Sequence, residues 1–249
     1  YSRSDRWAFL VERMIIIAAL VVSFAGIGTV ILGDSANSRL ATVYSLVHHG
    51  TWYIDRPVTE TPNPFEDKTI DKCSLNGRLL STKPPLLPLA MTAEYMVLRR
   101  CFGWSLDVRE DLKLIFQIMI ASLIILPYFV GLVFFALLLD LLIANPWQRL
   151  LPLASLAFAT QLPGFATQLN NHTPAIALLI VVFYLTLGLC TGKLAPTWWR
   201  FFGFGLSGAL VFTLDMPLVV FVAVSGIALA LKFPKSAVLW GGLGMAAPL

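Results

Sequence analysis

Three charged side chains near the ends of the first two hydrophobic segments are the residues best suited to chemistry. Asp34 follows the first apolar run, Arg39 comes shortly after it, and Lys83 stands directly before Pro84-Pro85. A carboxylate at a membrane surface can remove a proton from a hydroxyl group. Cations in the same place can hold a phosphate, which arginine binds in a bidentate way. The polar loop of residues 33–84 is therefore predicted to carry a base and a phosphate-binding site.

Each of these residues also has a simpler interpretation. Asp34 suits the N-cap of a helix, because its side chain can accept a hydrogen bond from a free backbone amide. Arg39 and Lys83 also suit a general attraction to anionic lipid headgroups. The two prolines restrict the backbone after Lys83, so that the lysine is expected to be held at the start of the next helix.

A second polar cluster lies further along the chain. Asn171 and His172 join two short apolar segments, and Asp215 interrupts another apolar region. Hydrogen-bonding side chains at such places are costly unless they face water or a ligand, so these three residues are candidates for lining a cavity. The alternatives are a polar turn with an N-cap before the next helix and, for Asp215, a turn at a membrane end. The spacing of His and Cys matches no metal site, so neither a metal nor a cofactor is predicted.

The composition indicates an integral membrane protein. Of the 249 residues, 57% are hydrophobic and 13% are charged, and the net charge is +4. Soluble domains carry roughly 25% charged residues. The apolar runs are continuous and not alternating, which favours helices over a barrel. Basic residues are not interleaved with aromatic ones, so a nucleic-acid partner is not expected. The predicted fold class is an all-α, polytopic helical bundle in contact with membrane lipids.

About eight membrane segments are expected, several of them short. They cover residues 7–32, 84–98, 112–144, 150–165, 174–189, 201–214, 217–231 and 237–249. The third is either one kinked helix around Pro127 or two short passes. Together they form one predicted membrane domain, residues 1–249. Both ends of the sequence look cut, so a missing C-terminal part is expected.

The loop between the first two segments has predicted structure of its own. Arginines flank the start of segment one and place the N-terminus in the cytoplasm, so the loop is expected to be extracytoplasmic. Apolar residues at helical spacing predict an interfacial helix from Ser38 to His49, ended by Gly50. The stretch Pro57–Asp67 is expected to be coil. Basic residues in the later loops leave the topology after segment three open.

In combination, the loop motifs resemble those of a known enzyme family. They are Asp34, Ser38-Arg39-Leu40-Ala41-Thr42-Val43, Gly50-Thr51-Trp52-Tyr53 and Ser81-x-Lys83-Pro84-Pro85. The pattern is similar to the first extracytoplasmic loop of GT-C membrane glycosyltransferases of the protein O-mannosyltransferase and aminoarabinose transferase type. It departs from that pattern in two places: Arg39 is followed by Leu40 and not by an aromatic residue, and the acid stands five residues before the arginine where about three is usual.

The resemblance implies an enzyme of the bacterial inner membrane. The implied reaction is an inverting transfer of a sugar from a polyprenyl-phosphate donor to an acceptor hydroxyl on the extracytoplasmic side. Asp34 corresponds to the catalytic base, and Arg39 and Lys83 correspond to ligands of the donor phosphate.

A second hypothesis is a non-catalytic subunit of the same fold that scaffolds a complex with other membrane subunits. A cavity containing the three charged residues favours the enzyme, whereas their burial against partner chains favours the scaffold. A transporter is a weaker alternative, because inverted repeats with broken helices are not evident.

Overall fold

The computed structural model describes residues 3–28, 33–55 and 62–248, and the chain is mostly helical there. Three of its helices are long and apolar enough to cross a membrane: Asp5–Ala25, Arg109–Leu142 and His172–Cys190. Met216–Lys232 is a shorter apolar helix. The membrane class and the helical architecture are thus supported, whereas the count of about eight segments stays a prediction. The end of segment one, residues 29–32, lies outside the described residues.

The helices are numbered along the chain. Their bounds are α1 Arg3–Ala25, α2 Asp34–His48, α3 Leu86–Phe102, α4 Arg109–Ile120, α5 Leu126–Leu142, α6 Pro146–Phe158, α7 Leu162–Phe165, α8 His172–Cys190, α9 Trp198–Leu214, α10 Val219–Lys232, α11 Pro234–Ser236 and α12 Gly242–Ala246. Short 3₁₀ helices cover Glu66–Lys68 and Met216–Leu218, and π-helical turns cover Ala121–Ile125 and Ala237–Gly241. Strands β1 and β2 are Lys72–Leu75 and Arg78–Ser81.

The third predicted segment is a single helical stretch. α4 continues through the π-helical turn Ala121–Ile125 into α5, and Pro127 lies in the first turn of α5. A π turn absorbs one extra residue within a continuous helix, and proline is tolerated near it because the regular hydrogen-bond pattern is already broken. The single-helix alternative is therefore the one that the structure shows.

The chain divides into two compact units. The first, here called the helical unit, comprises Tyr1–Gly26, Ile125–Thr167 and Asn171–Leu249. The second, here called the loop unit, comprises Ile27–Ile124 and Gln168–Asn170. The single membrane domain stays a prediction.

Two apolar cores lie in the described part of the helical unit. Tyr128, Leu132 and Leu153 belong to the first, where the hydroxyl of Tyr128 donates to the carbonyl of Ala157 at 2.9 Å. The second core joins α8, α9 and α10 around buried side chains such as Val182, Leu189, Phe201 and Val211. Helices in a membrane approach closely where small residues face each other, and α9 and α12 meet in this way at glycines.

In the loop unit, the predicted helix is present but its surroundings differ from the expectation. α2 runs from Asp34 to His48, and Gly50 follows it with a φ of +66°. Every residue from Ala36 to Ser45 is buried, the polar ones included. An amphipathic surface helix would expose its polar face, whereas here the following chain covers it. Asn63, for example, donates its amide to the carbonyl of Ala41 at 2.8 Å.

The all-α prediction missed a β-hairpin in this unit. β1 and β2 pair antiparallel, with Lys72 opposite Ser81 and Leu75 opposite Arg78. Asn76 and Gly77 form the two-residue turn with φ values of 53° and 77°. Positive φ at both turn positions matches the twist of the flanking strands, and Asn-Gly is the pair that adopts it most readily. Of the predicted coil, residues 57–61 lie outside the described residues, and its end begins the 3₁₀ helix Glu66–Lys68.

Candidate functional site

Asp34 is the first residue of α2 and its side chain is exposed. The N-cap position belongs to Gly33, so the alternative interpretation of Asp34 as the capping residue does not describe this helix. Its carboxylate Oδ1 accepts a hydrogen bond from the amide of Ile70 at 3.4 Å, and its carbonyl accepts one from the hydroxyl of Thr69 at 2.8 Å. A negative charge here is favoured by the partial positive charge of the helix start. Asp34 is therefore an accessible carboxylate bound to the segment Thr69–Asp71.

Lys83 forms an ion pair with Asp71, at the other end of the segment Thr69–Asp71. Its ammonium lies 2.6 Å from Oδ2 of Asp71, and the two side chains are 20% and 30% exposed. Both groups therefore keep contact with solvent. The acid and the lysine that the sequence singled out are thus both held by the three residues Thr69, Ile70 and Asp71, although Asp34 and Lys83 are not shown in contact.

Backbone and hydroxyl groups fix this arrangement. The hydroxyl of Ser38 lies 2.6 Å from the Asp71 carbonyl and 2.6 Å from the hydroxyl of Ser81. The Thr82 amide donates to the Asp71 carbonyl at 3.2 Å, and the Lys83 amide donates to the Ser81 hydroxyl at 3.1 Å. α2, the residue before β1 and the residues after β2 therefore meet at one point. Lys83 is thus held by Asp71 and Ser81, three residues before α3 begins at Leu86.

Arg39 is 2% exposed and lies inside the loop unit. Its Nη1 donates to the carbonyl of Ser35 at 3.0 Å, to the hydroxyl of Ser35 at 3.1 Å and to the carbonyl of Leu169 at 3.4 Å. Burial lowers the pKa of Arg39 to about 10, against the opposing effect of the Asp71 carboxylate. The guanidinium remains charged at neutral pH and ties the first turn of α2 to residue 169. Direct contact of Arg39 with a donor phosphate stays a prediction.

A cavity of about 300 Å³ opens beside Lys83. Its polar lining comes from Lys83, Thr42 and Ser81, and its apolar lining comes from Trp52, Leu80, Pro85 and Pro88. Neither Asp34 nor Arg39 belongs to this lining. A cation at the edge of an apolar cavity suits an anionic group attached to an apolar chain, because each part of such a ligand finds a matching surface.

An ion pair anchors the hairpin next to this cavity. Arg78 Nε donates to Oδ2 of Asp55 at 2.7 Å, and the Leu79 amide donates to Oδ1 of Asp55 at 3.0 Å. Burial by itself would raise the pKa of Asp55, but the bonds from Arg78 and Leu79 outweigh it and hold that pKa below its ordinary value. Asp55 thus joins the chain that follows Trp52 to β2.

We expect the Asp55 anchor to weaken in acid. Because the folded-state pKa is depressed, its contribution to the free energy of unfolding is present above the unfolded pKa of about 3.9 and is lost as the pH falls through the folded value. Asp55→Asn should therefore lower the melting temperature near pH 6, by an amount corresponding to about 1 kcal/mol or less. The gap between variant and wild type should close towards pH 3. Thermal unfolding in detergent measures it, with exposed Asp67→Asn as control, and a gap that is independent of pH contradicts the assignment.

The second polar cluster is assembled in the helical unit. His172 Nδ1 lies 2.6 Å from Oδ2 of Asp215, and the side-chain amide of Asn171 donates to the carbonyl of Leu214 at 2.8 Å. These bonds connect the start of α8 to the end of α9. The side chain of Asp215 is 15% exposed and that of His172 is 48% exposed. The three predicted residues are therefore neighbours, and a role in lining a ligand cavity stays a prediction.

Asp71 is the residue that the sequence interpretation missed. It is one acid among several in a polar loop, and it stands twelve positions before Lys83. The available signal was Asn76-Gly77 between two short strands. Pairing around that turn places Lys72 opposite Ser81, so the residues just outside the strands, including Asp71 and Thr82, come together.

Comparison of the chain with protein-family models, with curated proteins and with solved structures found no match.

Proposed function

We propose that this protein is a membrane glycosyltransferase that moves a sugar from a polyprenyl-phosphate donor to an acceptor hydroxyl on the extracytoplasmic side. The observation that carries the proposal is the segment Thr69–Asp71, which binds Asp34 at one end and Lys83 at the other. A base and a cation held by one short segment, with the cation beside a partly apolar cavity, suit a reaction between a hydroxyl and a lipid phosphate ester. The resemblance of the loop motifs to GT-C enzymes supports the same reaction.

The proposed step is a single inverting displacement. Asp34 takes the proton of the acceptor hydroxyl, and the acceptor oxygen forms a bond to the anomeric carbon of the sugar. The bond from that carbon to the phosphate oxygen breaks, and polyprenyl phosphate leaves with the electron pair. Lys83 stabilises the charge that develops on the phosphate.

Asp71 gives this step an additional requirement. The Asp71 carboxylate forms an ion pair with the Lys83 ammonium in the described conformation. A donor phosphate therefore has to displace the carboxylate or bind the lysine together with it. Arg39 is buried, is influenced by the charge of Asp71 and holds Ser35 in the first turn of α2, the turn that begins with Asp34. In this proposal Arg39 positions the site, and its contact with the phosphate requires a change of conformation.

The proposal also includes membrane segments in addition to the three long helices, and an orientation of the protein in the membrane. The shorter apolar helices, among them α3, α6, α9 and α10, complete about eight membrane segments. The loop of residues 33–84 faces the extracytoplasmic side of a bacterial inner membrane, where polyprenyl-phosphate sugars are used. Thiol labelling of exposed Cys73 from that side of sealed vesicles tests this arrangement.

Lys83→Ala is expected to weaken donor binding. A net charge-assisted hydrogen bond contributes roughly 1.5–3 kcal/mol, so the dissociation constant for a short-chain polyprenyl phosphate should rise by a factor of about 10 to 150. Native mass spectrometry of the protein in detergent measures this binding. Lys113→Ala, which removes an exposed lysine on α4, is the matched control. Unchanged binding in Lys83→Ala together with an unchanged melting temperature contradicts the role of Lys83.

The non-catalytic subunit remains the second candidate, and one observation favours it. Lys83 is already neutralised by Asp71, as in a purely structural ion pair. The two candidates differ in a direct assay of the reconstituted protein with a polyprenyl-phosphate sugar and a hydroxyl acceptor. Transfer that depends on Lys83 supports the enzyme, whereas a folded protein that transfers no sugar from lipid-linked donors supports the subunit.

A further inference from the structure

A second cavity lies in the helical unit, away from the polar ends of α8 and α9 that His172 and Asp215 join. It measures about 370 Å³ and lies among α5, α8 and α9. Its walls are mainly apolar: Phe134 and Leu137 come from α5, and Val181, Tyr184 and Leu185 come from α8. Phe134 and Tyr184 pack edge to face with ring centroids 5.4 Å apart. The shape and the lining suit a hydrocarbon chain.

Arg200 lies at the polar end of this groove, in the first turn of α9. Its guanidinium stands 4.7 Å from the ring centre of Trp199, and Nη1 donates to the carbonyl of Ala195. Trp198 and Trp199 are 58% and 51% exposed. Exposed tryptophans at the end of an apolar helix are typical of the headgroup level of a bilayer. Arg200 is therefore placed where the headgroup of a lipid would lie if the lipid tail entered the groove.

The same end of the helical unit carries further positive charge. Lys193 donates to the carbonyl of Leu141 at the end of α5, and Lys232 donates to the carbonyl of Cys190 at the end of α8. Among the described residues, no carboxylate forms an ion pair with Arg200, Lys193 or Lys232. The surface around the groove therefore complements a negative headgroup.

We propose that this groove binds one anionic phospholipid, with an acyl chain between α5, α8 and α9 and the phosphate at Arg200. The mainly apolar walls argue against a small soluble anion as the principal ligand, because most of the lining side chains cannot form hydrogen bonds with it. The basic residues favour an anionic headgroup over a zwitterionic one, since each basic residue near an anionic lipid surface adds to the attraction. The proposal is independent of sugar transfer and concerns a different unit of the protein.

Gly203 makes it possible to block the groove without disturbing the fold. A Cβ at this position would approach one atom within 4 Å, Cδ1 of Leu185 at 3.8 Å, which is an ordinary contact. Gly203→Leu should therefore keep α9 intact, and the remainder of its side chain should occupy the groove. Gly242→Leu is the matched control, because a Cβ there meets no atom within 4 Å and Gly242 does not line the groove.

The test is native mass spectrometry of the full chain in detergent, with the melting temperature recorded for each variant. The probes are phosphatidylglycerol, phosphatidylcholine with the same acyl chains, glycerol 3-phosphate and a short-chain polyprenyl phosphate. We expect wild type and Gly242→Leu to retain phosphatidylglycerol more strongly than phosphatidylcholine or glycerol 3-phosphate. Gly203→Leu should lose this retention, and Arg200→Gln should reduce the preference for phosphatidylglycerol over phosphatidylcholine about fivefold.

Several outcomes would overturn the proposal. Unchanged phosphatidylglycerol retention in both Gly203→Leu and Arg200→Gln would place the lipid elsewhere. If wild type retains phosphatidylcholine as strongly as phosphatidylglycerol, the basic residues do not select an anionic headgroup. Polyprenyl phosphate retention that falls in Gly203→Leu but not in Lys83→Ala, or binding of glycerol 3-phosphate that equals that of the lipid, would assign the groove to a different ligand. If Gly203→Leu melts at a much lower temperature, Gly203→Ala and Gly203→Val are used as a series of increasing side-chain size. Phosphatidylglycerol retention that does not fall along this series contradicts lipid binding in the groove.

Discussion

Replacing Asp34 with asparagine is expected to abolish sugar transfer while leaving the fold nearly unchanged. The asparagine side chain has almost the same shape, and its oxygen can still accept the hydrogen bond from the Ile70 amide. It cannot take up a proton from the acceptor hydroxyl. A general base contributes a factor of roughly 10² to 10⁴ to the rate, so the variant should retain about 1% of the activity or less. Release of polyprenyl phosphate from a lipid-linked sugar measures it.

Asp34 is the first residue of α2 and not its N-cap. Because Gly33 occupies the N-cap position, the substitution removes no side-chain cap, and the melting temperature should change little. Asp67→Asn, at another exposed acid of the loop unit, is the control. If Asp34→Asn remains fully active, Asp71→Asn is the next variant to assay, because Asp71 belongs to the segment that binds Asp34 and contacts the ammonium of Lys83. Loss of activity in Asp71→Asn alone would move the base to Asp71.

Replacing Arg39 with methionine is expected to destabilise the protein by about 3 kcal/mol. Methionine fills much of the same volume but cannot donate to the Ser35 and Leu169 carbonyls, which lose charged partners in a buried position. Arg39→Lys should lie between the variant and wild type, because lysine keeps the charge but not the planar set of donors. Unfolding in mixed micelles at increasing denaturant measures the free energy.

Arg100→Met provides the comparison, because Arg100 is exposed near the end of α3. It should change the free energy of unfolding by about 0.5 kcal/mol or less. If Arg39→Met instead unfolds like wild type but binds polyprenyl phosphate weakly, Arg39 is a phosphate ligand, as the GT-C resemblance implies, and the described conformation has to open during donor binding.

The pattern of hydrophobic residues in the sequence predicts much of the helical architecture. Continuous apolar runs predicted the long helices, and the spacing of Leu40, Val43, Tyr44 and Val47 predicted α2, which the structure extends to Asp34–His48. The proline pair after Lys83 predicted a lysine held near the start of a helix, and α3 begins at Leu86. These are local signals, since they depend on residues that are close in sequence.

The remaining features depend on contacts between distant residues. The burial of Arg39 could not be inferred from its own helix, because one of its partners is the carbonyl of Leu169, 130 positions away. The pairing of Lys83 with Asp71 depends on the hairpin between them, and the sequence signal for that hairpin is the Asn76-Gly77 turn. The charged residues of the loop indicate its chemistry, whereas the backbone hydrogen bonds of the hairpin determine which of those residues meet.

The hairpin also acts as a spacer of fixed length. Nine residues, 72–80, form β1, the turn and most of β2, and they connect Asp71 to the serine and lysine that it meets. Side chains alternate between the two faces of a strand, so one inserted residue would turn every following side chain of β2 to the opposite face. A single-residue insertion in this hairpin would thus separate Lys83 from Asp71 without changing either residue. In related chains, the length of this segment should therefore vary less than its composition.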